Sequence, residues 1–410
     1  MRIRLRYNLF MWQKVKNIYH FAQAFLASIY FGFPSKKLTV IAVTGTDGKT
    51  TTVNMIYHIL KTTGKKVSMV SSLGATIGNE SQDTGYHVST PSPFQVQKLL
   101  KEAVDAGSDN FILEATSHGL DQNRLAFVKI KIGVVTNITD EHMNYHKTWI
   151  NYAQAKAKLF KNVEYSILNK DDKSYAFLKN IAQGKIMTYS LTGEADITRK
   201  NFPLITKIAG QYNIYNALAA SAAAFALEVP KEQILKSVSS FSGIKGRLQE
   251  VKEGQQFRAV IDFAHTANGL EQVLKTLHAS KKKNSKLIAV FGSAGDRDRQ
   301  KREIMGTVAS KYADISIITA EDPRSEDPTQ IAKTISAGFK PPKNKEGKNY
   351  FIIPDRTKAI DFAAKTAEKG DIVAFLGKGH ENSMCIGDVE YPWSEEEVVK
   401  KAIKALKNEK

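Results

Sequence analysis

"VTGTDGKTTT", residues 43–52, decides the fold. It follows the apolar run Leu38–Val43 and combines two glycines, one lysine and a run of threonines. Gly45 and Gly48 let the backbone approach a ligand with no side chain in the way. From Thr50 the stretch "TTTVNMIYHILKTTG" reads as a helix stopped by Gly64. A glycine loop that opens into a helix N-terminus cradles phosphate. Lys49 is then placed to reach the terminal phosphates of a nucleotide, and Thr50 to hold Mg²⁺. The glycines stand closer together than in the common phosphate-loop pattern. Two readings of the loop alone stay open: a nucleotide site, or a tight strand-to-helix turn with an incidental lysine. The strand before it, the Gly-Lys-Thr order and the helix after it favour the nucleotide.

Outward from the loop, short apolar runs alternate with helical patterns. Strands are predicted at 38–44, 66–72, 110–115, 131–137 and 164–168, and a second series at 258–263, 286–292, 314–319, 350–353 and 371–376. Such alternation argues for parallel sheets covered by helices, with ligands at the carboxyl ends of the strands. The polar clusters sit at those ends: "EATSHGL", "TNITDEH", "DFAHT", "GSAGDRD", "AEDPRSEDP" and "GKGHE". Two series imply two α/β domains facing each other, with a break near "SFSGIKGR", residues 240–247. No internal repeat is apparent, and 340–349 reads as an exposed loop.

At 410 residues the chain is long enough for two or three domains with real cores. Its single cysteine, Cys385, excludes an internal disulfide framework and fits a reducing cytosol. The formal charge of +18 reads first as a lysine-rich solvated surface. Nucleic acid, anionic membrane and polyanionic small substrates are the other partners such a charge suits. No zinc-finger spacing and no aromatic RNA-binding pattern is present, so nucleic acid is discounted.

The N-terminal 34 residues are basic first and apolar later, without a cleavage signature. Met11, Val15, Ile18, Ala22, Phe25 and Ile29 form one helical stripe. This stripe is expected to pack on the protein's own body. The rival is an interfacial helix on anionic lipid, suggested by Arg2, Arg4, Arg6, Lys14 and Lys16.

The shortened loop "GTDGKTTT" resembles that of the Mur ligase family, ATP-dependent amide-forming enzymes related to folylpolyglutamate and cyanophycin synthetases. Further segments follow in family order: "LEATSHGLDQNRL" (113–125), "TNITDEHMNYH" (136–146), "YAQAKAKLF" (152–160), "GQYNIYNALAA" (210–220), "GR" (246–247), "DFAHT" (262–266), "FGSAGDRDRQKR" (291–302), "EDPRSEDP" (321–328) and "GKGHE" (377–381). The last three resemble the UDP-N-acetylmuramoyl-tripeptide synthetase branch, which adds a third residue to a peptidoglycan stem. The resemblance runs from about residue 38 to the C-terminus. It implies a central P-loop-type ATPase domain with a mostly parallel sheet, residues 38–242, and a C-terminal Rossmann-like α/β domain, residues 243–410, after a helical segment, 1–37.

The resemblance also implies roles. ATP phosphorylates a substrate carboxylate, and an amine displaces phosphate from the acyl phosphate. Gly45, Thr46, Asp47, Gly48, Lys49, Thr50 and Thr51 would hold the phosphates, Asn213 and Asn216 the adenine, Arg247 a phosphate and Asp262 the ribose. Thr50, Glu114, His142 and Lys156 match metal-binding positions for Mg²⁺, Lys156 as a carbamate. Lys49, Glu114, His142, Lys156 and Arg247 would be catalytic. Ser89, Thr90, Pro91, Ser117, His118, Gln122 and Arg124 match contacts to a UDP-MurNAc-peptide-like substrate. Arg297, Asp322, Arg324, Gly377 and Glu381 match the site of the incoming diamino acid; an arginine fork suits a carboxylate and a glutamate an ammonium. His265 is a weaker candidate beside them, with capping of a turn as the alternative.

Three departures stand out. Residues 1–37 are too few for the family's N-terminal UDP-binding domain, so a lipid-linked or other polymer precursor is an alternative acceptor. The stretch between "TYSLTGEADIT" and "GQYN" is expected to be a trimmed subsheet. Glu321-Asp322-Pro323-Arg324 replaces the branch's Asp-Asn-Pro-Arg. Arg324 favours meso-diaminopimelate, whereas Asp322 would favour L-lysine. A nucleotide-binding module without ligase activity is the reading from another class. A cytoplasmic monomer is expected, with peripheral membrane contact through the N-terminal helix as an option.

Overall fold

The computed structural model describes residues 2–85 and 89–408; the side chains of residues 2–12, Lys14 and Asn408 lie outside that description. The chain forms two compact units. The first comprises Met1–Asp140, His146–Lys207 and Tyr212–Phe241, and the second Glu141–Tyr145, Ile208–Gln211 and Ser242–Lys410.

The first unit is built on nine strands: β1 Thr39–Thr44, β2 Val67–Ser71, β3 Gly74–Ile77, β4 Glu80–Gln82, β5 Asn110–Glu114, β6 Ile130–Val135, β7 Tyr165–Asn169, β8 Lys185–Ser190 and β9 Ile197–Thr198. Their order is β4-β3-β2-β5-β1-β6-β7-β8-β9. The run β2 to β9 is parallel, and β3 and β4 add an antiparallel edge. Val40, Ile41, Ala42 and Val43 of β1 are all fully buried. A continuous apolar run, rather than an alternating one, is what a parallel strand covered on both faces requires. Because the chain leaves β1 for β2 and returns to fill β5 and β6 on either side, the loop after β1 lies where the strand order reverses. That is the place where such sheets bind ligands.

The main sheet of the second unit has six strands: β10 Gln249–Val251, β11 Arg258–Asp262, β12 Leu287–Phe291, β13 Ile315–Ile318, β14 Tyr350–Ile352 and β15 Ile372–Leu376. The order is β10-β11-β15-β12-β13-β14, parallel apart from β10. Val290 and Phe375 of the sheet pack with Ile360 and Val399 of the covering helices. A hairpin, β16 Ser383–Ile386 with β17 Val389–Pro392, stands apart from the sheet. Arg356 pins the end of β15, where its Nη2 donates to Leu376 O at 2.9 Å and its Nε to buried Glu395 at 2.9 Å. This fixes the origin of the Gly377–Glu381 loop. Mostly parallel α/β sheets in both units give the expected fold class.

The N-terminal helix, α1 Arg2–Tyr30, corrects one expectation. The stripe Val15, Ile18, Ala22, Phe25 and Ile29 does not pack on the body: Ile18 is 70% exposed, and Val15, Phe25 and Ile29 are each about half exposed. The side chain of Met11 lies outside the described residues. The buried face is the opposite one, with Ala24, Ala27 and Ser28, and α1 packs there on α3, Pro93–Asp105. The spacing identified a stripe correctly, but periodicity does not say which way a stripe faces.

Candidate functional site

The loop after β1 is held from behind. Its carbonyls are engaged one by one: Gly45 O accepts from Lys156 Nζ (2.6 Å), Thr46 O from Lys49 Nζ (2.8 Å), and Asp47 O from Thr136 Oγ1 (2.7 Å) and Asn137 Nδ2 (3.1 Å). Asn137 Oδ1 accepts from Asp47 N at 3.0 Å, so one side-chain amide grips both backbone polar groups of one residue. A Cβ on Gly45 would fall 1.8 Å from Thr136 Oγ1, and one on Gly48 2.2 Å from Asn216 Oδ1. Both glycines are therefore required by close approach, and Gly48 sits at φ 84. Helix α2, Lys49–Thr62, begins directly at Gly48, one residue earlier than expected, with no side-chain cap and no acid in its first turn. First-turn amides have no carbonyl partner within a helix, so this N-terminus is suited to an anion.

Glu114 closes β5 opposite Val43 of β1. Its Oε2 accepts from Thr50 Oγ1 at 2.9 Å and from Ser72 N at 3.2 Å, and Thr50 Oγ1 is 3.0 Å from Ser72 Oγ. Thr50, Ser72 and Glu114 thus gather hard oxygen donors around one carboxylate. Among the described residues no cluster of three or more His, Cys, Asp or Glu is placed to hold a metal. The donor set fits Mg²⁺, which takes few protein ligands and completes its shell with phosphate and water.

Lys156, on the helix Trp149–Ala157, is 1% exposed and lies over the Tyr152 ring at 4.5 Å. Burial, then the Lys49 ammonium, push its pKa well below the ordinary lysine value, against the pull of Asp47 and Glu114. Asn213 and Asn216 are buried on one helix face and bonded to each other at 3.1 Å, and Thr52 Oγ1 reaches Asn216 Oδ1 at 3.4 Å. Thr51 is buried in the first turn of α2.

Beside this lies a second network of the same unit. Thr90 Oγ1 donates to Glu114 O (2.8 Å), and Arg124 Nη1 donates to Thr90 O (2.9 Å). Gln122 Oε1 accepts from Arg124 Nη2 at 2.7 Å. Ser117 Oγ is 3.1 Å from His146 Nε2, and the His118 and His146 rings are 5.5 Å apart. Burial, then His118, lower His146 to about 4. Ser89 is half-buried next to Thr90. His142, at φ 58, belongs to the segment grouped with the second unit, and so does Glu141, paired with Lys301 at 3.1 Å.

In the second unit the Arg247 guanidinium lies over the Phe263 ring at 4.6 Å. Asp262 accepts from Leu248 N and Ala264 N, both at 2.8 Å. His265 Nδ1 is 2.9 Å from Phe263 O. Around the Gly377–Glu381 loop, Lys378 is fully buried and bonds Asp322 Oδ1 (2.8 Å) and Glu381 Oε2 (2.7 Å). Burial opposes its charge, but Glu381 and Asp322 outweigh burial and hold its pKa above the ordinary value. Gly377 has φ 105, and a Cβ there would press on Glu321 at 3.3 Å. Partial desolvation, then Arg324, lower Arg297, so two guanidiniums share one neighbourhood. Sequence reasoning missed Lys378, Asn137, Ser72 and Tyr152. Lys378 stands inside the quoted "GKGHE", and a lysine between two glycines was the available signal.

Burial, partly offset by Lys301, raises the Glu321 carboxyl to about 7. Its folded pKa exceeds its unfolded one, so the folded state binds the extra proton. The associated stability is complete at acid pH and is lost as pH rises from the ordinary glutamate value through 7. Glu321→Gln is therefore expected to gain stability on the wild type, by about 1–3 kcal/mol, between about pH 4 and about pH 8. Urea midpoints at the two ends check this, and an unchanged difference contradicts it.

A reversed-order parallel sheet with a glycine loop, an aligned lysine and a carboxylate–hydroxyl donor set defines a P-loop-type nucleotide-using enzyme fold, joined here to a second α/β unit. Family comparison makes the class specific. Residues 43–224 match the Mur ligase middle domain, and 246–379 the Mur ligase, glutamate ligase domain. The chain belongs to the Mur ligase family. It is 36% identical over 406 residues to the UDP-N-acetylmuramoyl-L-alanyl-D-glutamate–2,6-diaminopimelate ligase 1 of Clostridium acetobutylicum, spanning 94% of this chain and 82% of that protein. It is 34% identical to the corresponding ligase of Geobacillus thermodenitrificans, over 93% of this chain and 82% of that protein. A solved structure of a ligase with this specificity aligns at TM-score 0.60 and 33% identity, covering 90% of this chain and 79% of that one. The Mycobacterium tuberculosis folylpolyglutamate synthase, at TM-score 0.69 and 16% identity over 94% and 95% of the two chains, shares the fold.

Proposed function

We propose that the chain is an ATP-dependent ligase that joins meso-diaminopimelate to a UDP-MurNAc-dipeptide through an acyl phosphate. The observation that carries this reading is the convergence of Lys49, Thr50, Glu114 and Lys156 on one glycine loop, in a chain 36% identical to a diaminopimelate ligase. The γ-phosphate passes to the dipeptide's free carboxylate. The amine attacks the acyl carbon, and phosphate leaves with one carboxylate oxygen. Negative charge accumulates throughout, so Lys49 and the α2 N-terminus bind and orient the phosphates. Thr50 and Glu114 are the residues that would hold Mg²⁺, which would supply charge neutralisation at the phosphates. The Thr90–Gln122–Arg124 network and the Ser117–His118 pair position the muramyl-peptide.

Lys156 supports the carbamate reading. Burial and the neighbouring Lys49 ammonium both shift Lys156 toward its neutral amine, which is the form that captures CO₂. The reaction Lys-NH₂ + CO₂ → Lys-NH-COO⁻ + H⁺ converts a buried amine into an anionic oxygen ligand next to Glu114.

The diamino acid specificity follows from charge. Asp322 is committed to buried Lys378, which removes it as a partner for a distal ammonium. Arg297 and Arg324 repel each other and are relieved by a carboxylate. Arg324→Ala is expected to raise the KM for diaminopimelate by about 10- to 100-fold with a smaller change in kcat. An unchanged KM contradicts the assignment. Phosphate release with ATP and UDP-MurNAc-dipeptide, compared over diaminopimelate, lysine and no amine, tests the function. Dependence on diaminopimelate is expected. Dependence on lysine overturns the specificity, and release indifferent to any amine overturns the ligase.

A further inference from the structure

Helix α1 is amphipathic in the inverted sense. The face toward the body carries Gln13, Asn17, His20, Gln23, Ala24, Ala27 and Ser28, which are partly or fully buried. The outward face carries Val15, Ile18, Tyr19, Phe25, Leu26, Ile29 and Tyr30, all well exposed. A surface helix ordinarily does the reverse. The outer face continues across Phe127, whose ring meets Phe21 at 5.0 Å and Phe25 at 5.3 Å, and across Phe94, 5.0 Å from Phe31. Phe127 is exposed and sits at φ 63, a left-handed conformation that a bulky residue adopts only under compulsion. Contiguous apolar surface of this extent marks an interaction site.

Charge selects the occupant. From Met1 to Thr46 the sequence contains Arg2, Arg4, Arg6, Lys14, Lys16, Lys36 and Lys37, and no Asp or Glu. Lys16, Lys36 and Lys37 are exposed, and Lys129 is exposed two residues after Phe127, with its backbone N–H bonded to Ser35 Oγ at 3.0 Å. Among the described residues no helix is long and apolar enough to cross a membrane. A long helix with a broad aromatic-rich apolar face, low overall hydrophobicity and purely cationic charge lies in the plane of an anionic lipid surface.

We propose that α1, with Phe94 and Phe127, docks the protein peripherally on anionic phospholipid bilayers. The apolar face enters the headgroup–acyl boundary, and the lysines and arginines remain among the phosphates. Docking is independent of the ligase reading, because it uses no residue assigned to ATP or peptide.

The full-length protein is floated with phosphatidylcholine vesicles with and without phosphatidylglycerol, and its mass in solution is measured by light scattering. The comparison variant is Ile18→Ser/Phe25→Ser/Ile29→Ser, three exposed side chains whose replacement leaves the core intact. The wild type is expected to float with phosphatidylglycerol vesicles, to be released by high salt in part, and to stay behind with neutral ones. The triple variant is expected to lose vesicle partitioning by on the order of a hundredfold while keeping its thermal midpoint. Equal flotation of wild type and variant overturns the proposal, as does equal binding to neutral vesicles. A wild type that ignores vesicles but dimerises, with a monomeric triple variant, also overturns it and assigns the face to a second copy of the chain.

Discussion

Lys156→Ala is expected to lower turnover by at least about a thousandfold, the scale of losing a charge-organising group in a buried site. The side chain sits behind the phosphate loop at 2.6 Å from Gly45 O, next to Lys49 and Glu114. As a bare amine it is a poor companion for a cation; as a carbamate it is a second acidic ligand. Two measurements separate this role from mere loop support. Wild-type protein stripped of CO₂ at mildly acidic pH should lose activity and regain it with bicarbonate, whereas the variant should not respond. The thermal midpoint of the variant should reflect only the loss of a buried hydrogen bond, about 1–3 kcal/mol. A variant with full activity contradicts the assignment.

Lys49→Ala carries the second large effect, again at least about a thousandfold in turnover, because the transferring phosphoryl group loses its positioned cation. In this structure Nζ donates to Thr46 O at 2.8 Å, within its own loop, and an ammonium carries two further N–H donors. Lys49→Arg is expected to rescue poorly, since the planar guanidinium does not replace a compact ammonium in a tight loop. Folding should be little changed, because Lys49 is at a helix start and holds no other element. Phosphate release and the thermal midpoint, measured on the same preparations, check both statements.

The sequence was most legible where the chemistry is local. Each strand of the two predicted series is present within a residue or two, because buried parallel strands carry uninterrupted apolar runs between turn residues. The phosphate loop, its helix and the stop at Gly64 were equally plain. The hairpins β3–β4 and β16–β17 were missed: they are short, and β4 and β17 are largely exposed, so little apolar pattern marks them. β8 and β9 were missed as well: β8 starts with two exposed residues that blur its pattern, and β9 is only two residues long. Lys378 reads as solvent-facing in isolation, and only the fold brings Asp322 and Glu381 to it. The grip of Asn137 on Asp47 is equally invisible, since its partners are 90 residues apart. Helix α1 was recognised by period and misread by direction, because burial depends on the partner and not on the stripe.

Oxygen labelling tests the central claim most directly. If the dipeptide carboxylate is phosphorylated before the amine arrives, substrate carrying ¹⁸O in that carboxylate must deliver one labelled oxygen to inorganic phosphate in every turnover. The account predicts labelled phosphate formed in step with amide product and dependent on diaminopimelate. Unlabelled phosphate alongside amide product, or label recovered in AMP, would contradict it.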